Sequence, residues 1–135
     1  MAVLVLTAEF ISLNATDLSS YMKKGELAIE VAEEDVTAFA SAGWKAVTGG
    51  LKSGTLSLTA NDDFAVGLLD AIMWPLLGTN VAFEIRPTSA AASTSNPKWT
   101  GTVLINSHKV GGEVASVAEK DWSLPTSGAV ARATA

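Results

Sequence analysis

The chain has 135 residues, of which 48% are hydrophobic and 17% charged, with no cysteine and a formal net charge of −5 at pH 7. The apolar share excludes a disordered chain. The missing cysteines exclude disulfides and thiolate metal sites, and the acidic balance excludes a protein that grips nucleic acid through its phosphates.

A chain of this size buries a core without covalent staples and reads as one domain over residues 1–135. Its scarcity of charge points to surface that partners cover.

Taken in chain order, the period is mostly two. Residues 3–7 and 10–13 are short strand candidates, and the N-terminal apolar run lacks the basic flank of a signal peptide. No segment approaches the roughly 18 apolar residues of a membrane span. In ELAIEV, Leu27, Ile29 and Val31 fall on one face and Glu26, Ala28 and Glu30 on the other, as in a half-buried strand. GTLSLTA repeats this with Leu56 and Leu58 inward, and VAFEIRP with Val81, Phe83 and Ile85, closed by Pro87. WTGTVLINS sets Val103 and Ile105 against Thr102, Leu104 and Asn106, and a weaker strand covers residues 113–124.

One stretch breaks the period. Phe64, Leu68, Leu69, Ile72 and Met73 lie at helical spacing, so a flanking helix is expected over about residues 62–74. Asn61, Asp62 or Asp63 caps its start, and Pro75 ends it. Two loops follow from the same reading. Residues 87–97 are small, polar and flexible. Residues 32–50 join two strands by a connection too long for a simple turn, and hold Phe39 and Trp44. Residues 126–135 read as a frayed tail or an arm that orders on a partner.

Catalytic chemistry finds little footing. His108 is the one histidine and reads as an exposed turn residue, with no nucleophile elbow to serve. GGLKSGT lacks the order of a phosphate loop, and three adjacent acids, Glu33, Glu34 and Asp35, lack the spacing of a calcium loop. They read as a solvated turn or a salt-bridging edge toward a neighbouring subunit. Among the four tryptophans, Trp74, Trp99 and Trp122 read as core. Trp44, in its irregular loop, divides between a tucked-in anchor and an anchor into another protein.

Two long runs carry a family resemblance. DVTAFASAGWKAVTGGLKSGTLSLTAND, residues 35–62, resembles the signature stretch of siphophage major tail proteins, the tail tube proteins, of the small actinobacteriophage type. The matching positions are Asp35, Val36, Thr37, Phe39, Gly43, Trp44, Gly50, Leu51, Lys52, Gly54, Leu56 and Leu58. MWPLLGTNVAFEIRPTSAAASTSNPKWTGTVLI, residues 73–105, is similar to a second run of that family, with Met73 and Ile85 as conservative departures.

The resemblance implies a mainly β subunit, sandwich or barrel-like, with one flanking helix and a long inter-strand loop. Six subunits would close a ring, and rings would stack into the hollow tube of a long non-contractile tail, a conduit for DNA ejection. The loop of about residues 33–50 would reach the next ring, placing Glu33, Glu34, Asp35, Thr37, Phe39, Trp44 and Lys45 in the stacking contact. A lumen that lets DNA slide needs acids and small hydroxyls. Glu26, Glu30, Thr55, Ser57 and Thr59 are the expected lining, with Glu119 and Asp121 as further candidates.

The implied partners are further copies, a tape-measure protein, a tail terminator and baseplate or distal tail proteins, with no membrane, cofactor, metal or catalytic residue. The implied location is the virion, after assembly in the bacterial cytoplasm. Alternatives are a carbohydrate-binding or adhesion module using Trp44 and Trp99, a small hydrolase with an acidic pair, and a single-ring tail terminator or head–tail joining protein.

Overall fold

The computed structural model describes residues 4–65 and 67–135. It is mainly β, with two antiparallel sheets and one short helix. In chain order the strands are β1 (Phe10–Leu13), β2 (Thr16–Asp17), β3 (Met22–Asp35), β4 (Val47–Asn61), β5 (Asn80–Arg86), β6 (Lys98–Leu104), β7 (Glu119–Pro125) and β8 (Ala131–Ala133). One sheet runs β2-β1-β5-β6-β8, the other β3-β4-β7.

Alternation places the core. Ile11 and Leu13 on β1, Val81, Phe83 and Ile85 on β5 and Val103 on β6 face Leu56, Leu58 and Ala60 on β4 and Trp122 and Leu124 on β7. Each large apolar side chain so buried contributes about 1.5–3 kcal/mol, which holds the two sheets together. The β1–β2 hairpin turns on Asn14 and Ala15, both left-handed (φ 52° and 61°), the pair of conformations that a two-residue turn needs to match the strand twist. Gly25 on β3 lies against the Ile11 and Glu9 side chains, where a Cβ would collide with both.

The helix is shorter than its spacing suggests. It spans Leu69–Met73 (α1) and runs into a 3-10 turn, Trp74–Leu76, that accepts Pro75 near its start. Asp62 does not cap it. Its N–H donates to the Ala118 carbonyl (2.9 Å) and its carboxylate meets Lys120. Asp63 accepts the Ala65 N–H (3.1 Å) in a local turn, and left-handed Gly67 (φ 77°) and extended Leu68 keep the chain out of a helix until Leu69.

Other expectations shift in the same way. Residues 4–7 form no strand, and Val3 lies outside the described residues. The last long strand begins at Glu119 rather than 113, because Ser116 turns back onto Glu113 and Ala115 is left-handed. The 87–97 loop is organised, not loose. Buried Asn96 accepts the Thr88 N–H (3.0 Å) and donates to the Ala90 carbonyl (2.9 Å). Part of the C-terminal tail pairs within its own chain, as β8 against β6 with Trp99 opposite Arg132.

The largest departure lies between the two longest strands. The two ends of residues 33–50 are ladder, with Glu33, Glu34 and Asp35 opposite Gly49, Thr48 and Val47. The connection is a hairpin arm whose non-ladder tip is residues 36–46.

Candidate functional site

Two surfaces stand out, and both belong to the β3-β4-β7 sheet. The first is its outer face. Direct cross-strand partners share a face, and every second residue along a strand returns to it. Glu26 pairs with Ser57 and Ser57 with Ser123. Thr59 pairs with Asp121, Ala28 with Thr55, Glu30 with Ser53 and Asn61 with Glu119. The inner face holds Leu27 opposite Leu56 and Leu58 opposite Trp122. Glu26, Glu30, Thr55, Ser57, Thr59, Glu119 and Asp121 are therefore brought together on one solvent-facing surface.

Lysines that the alternation pattern did not single out temper its charge. Lys24 lies 3.9 Å from Glu26, Lys109 lies 3.2 Å from Asp121, and Lys23 pairs with Glu119. Lys23 reaches the face because the ladder slips between Met22 and Lys24. Lys109 arrives from the loop before β7, which no periodicity could announce. The Asp121 carboxyl is held below its usual range, first by the Lys109 hydrogen bond and then by that of Thr59. Glu30 has no cation within ion-pair distance among the described residues.

The second surface is the arm. From Ile29 to Ser53 nearly every residue is exposed. Phe39 is fully exposed, Trp44 is 80% exposed and Leu51 85%, with Ile29, Val31, Val36 and Val47 also open. The tip is nonetheless well tied. Thr37 Oγ1 accepts the Ala46 N–H (2.8 Å), Val36 N–H donates to the Ala46 carbonyl (2.9 Å), and Trp44 N–H donates to the Ser41 carbonyl (3.0 Å). Ala42 and Gly43 are both left-handed (φ 54° and 86°) and make the bend. Asp35 accepts the Thr37 N–H (2.8 Å), and Thr37 hydrogen bonds hold its carboxyl below the usual range. Lys45 pairs with Glu33 across the arm (2.9 Å).

Polar bonds thus fix the tip while Phe39 buries nothing within the chain and Trp44 little. Of the residues expected in a stacking contact, Glu33, Glu34 and Asp35 end β3, and Thr37, Phe39, Trp44 and Lys45 form the tip. The structure brings them together on one projection.

Two other residues, Trp74 and His108, differ from their sequence reading, while Trp99 packs against the core as that reading had it. Trp74 is 60% exposed and meets His108 edge-on at 5.2 Å instead of entering the core. Trp99 is half-buried with the Arg132 guanidinium over its ring, which leaves it a poor sugar platform beside Trp44. The His108 side chain is 3% exposed, with its Nε2 3.0 Å from Asp70 Oδ1 and 3.3 Å from Lys120 Nζ. Among the described residues no cluster of three or more His, Cys, Asp or Glu side chains could hold a metal ion, and no helix is long and apolar enough to cross a membrane.

No protein-family model matches the chain, and no curated protein matches it in sequence. Solved structures do match. A chain in the virion of a native gene transfer agent particle superposes with a TM-score of 0.73 at 17% identity, over 92% of this chain and 94% of that one. A chain in the tail of an empty gene transfer agent particle, refined with C6 symmetry, gives 0.69 at 16% identity, over 92% of each chain. The chain has a tail-tube-like fold. At such identities the likeness is one of fold.

Proposed function

We propose that this chain is a structural subunit of a phage-type tail, which closes into six-membered rings that stack into a hollow tube. The observation that carries this reading is the arm. A two-stranded ribbon is marginal alone, and one that holds Phe39, Trp44 and Leu51 in water is built to be covered. A second copy supplies that cover, and the arm of each ring reaches its neighbour.

The rest of the chemistry fits. β3 is a 14-residue strand paired on one side only, by β4, so its other edge offers backbone groups to a neighbouring strand. Ring closure would satisfy them. The polar face of the same sheet would line the bore. Among the described residues, Lys23, Lys24 and Lys109 on that face each have a carboxylate within ion-pair distance, which weakens their hold on DNA phosphates. The C6 symmetry of the gene transfer agent tail with this fold supports six copies per ring. In a virion such a tube would enclose a tape-measure protein, meet terminator and distal tail proteins at its ends, and conduct DNA.

Light scattering against concentration, followed by negative-stain microscopy of the purified chain, tests this. Growth into tubes of constant width is expected. Rings that never stack would favour a terminator or joining protein, and a permanent monomer would end the proposal.

A further inference from the structure

The largest fully buried side chain among the described residues is a lysine. Lys120 sits on the core face of β7, opposite Ala60 on β4. Its Nζ lies 2.9 Å from Asp62 Oδ2, 3.1 Å from Asp70 Oδ1 and 3.3 Å from His108 Nε2, donates to the Lys109 carbonyl at 2.7 Å, and has the Phe64 ring 5.2 Å away. The Asp62 side chain is 1% exposed. Its Oδ2 accepts no aligned hydrogen bond, so the contact with Nζ is one of proximity rather than of hydrogen-bond geometry.

A buried ion pair loses the hydration of both charges, which their mutual attraction returns only in part. The backbone holds the two groups there. Asn61 is in register with Glu119, and the Asp62 N–H donates to the Ala118 carbonyl. Fixed contact of this kind makes an otherwise slow condensation effectively intramolecular.

We propose that Lys120 and Asp62 become joined by an amide bond between Nζ and Cγ, with Asp70 as the proton carrier and His108 positioning Asp70. The ammonium first gives a proton to the Asp62 carboxylate. The amine lone pair then attacks Cγ, and Asp70 takes a proton from the nitrogen. Asp70 returns that proton to the departing hydroxyl, the Cγ–O bond breaks, and water leaves. An ammonium and a carboxylate thus become one amide and one water, with no oxidant, reductant or co-reactant. Asp70 Oδ1 lies 3.1 Å from Nζ and 3.0 Å from His108 Nε2; hydrogen bonds from Lys120 and then His108 hold its carboxyl below the usual range, and the larger of these causes weakens once Nζ has given up its proton, which returns basicity to Asp70. The bond would staple the end of β4 to the start of β7, and this inference does not depend on the tail reading.

Intact-mass measurement of the purified full-length chain under denaturing conditions tests it. A mass lower by one water is expected, with Lys120 uncut by trypsin and its peptide joined to the one holding Asp62. Asp70→Ala should stay folded by circular dichroism and carry the full, uncondensed mass. Wild-type protein that keeps its full mass after long incubation, with Lys120 cleaved normally, would overturn the bond. Condensation in Asp70→Ala at the wild-type rate would overturn the role given to Asp70.

Discussion

Thr59 and Asp121 face each other across β4 and β7 on the side of the sheet away from the core, and Thr59, after Lys109, helps to hold the Asp121 carboxyl below its usual range. One residue along, Leu58 meets Trp122 inside. The same ladder therefore builds an apolar wall and a polar one, and the tail reading asks which neighbour each wall meets.

Trp44→Ala and Phe39→Ala should leave the subunit folded, since both side chains are exposed, with stability within about 0.5 kcal/mol of wild type. Tube growth should fail or shorten. Circular dichroism and negative-stain microscopy of the same samples check both halves; an unfolded Trp44→Ala would make this residue part of the subunit's own core.

Glu30→Lys places a cation without a partner on the polar face. Tubes should still form, while DNA release through assembled particles slows, most at low salt, where phosphate contacts are strongest. Release at the wild-type rate in low salt would place Glu30 away from the bore.

Gly25→Ala drives a methyl group into the Ile11 and Glu9 side chains. A loss of about 1–3 kcal/mol is expected in denaturant melts, the usual cost of overpacking.

Glu9 gives a pH test. Burial raises its carboxyl pKa, and its Oε1 has no hydrogen-bond partner among the described residues. A raised carboxyl favours the fold fully below the unfolded pKa, and that contribution is lost as pH rises through the folded value. Glu9→Gln should therefore melt higher than wild type at pH 7, with the gap closing toward pH values below the ordinary glutamate range. Equal melting curves at both pH values would contradict the burial of this group.

Local periodicity made much of this molecule legible. Alternation in ELAIEV and GTLSLTA fixed which side chains of β3 and β4 turn outward, because a half-buried strand writes its two faces into every second residue. The arm escaped that logic. Both faces of its ladder meet water, so no alternation marks residues 33–35 or 47–50 as strand. The helix was overextended because Asp62, a good cap in sequence, is claimed by Lys120, which pairs beside it only after β4 and β7 meet. His108 was missed for the same reason. Its partners Asp70 and Lys120 are distant in sequence, and nothing local reports their approach. β8 is three residues of ordinary composition, visible only through its pairing with β6.

The most direct measurement is a cryo-electron microscopy reconstruction of whatever the purified chain assembles into. Six-fold rings are expected, with Glu30, Ser57 and Asp121 toward the bore and Trp44 buried against the adjoining ring. A particle in which that sheet face looks outward, or a chain that stays solitary with Trp44 in water at high concentration, would contradict the tail reading.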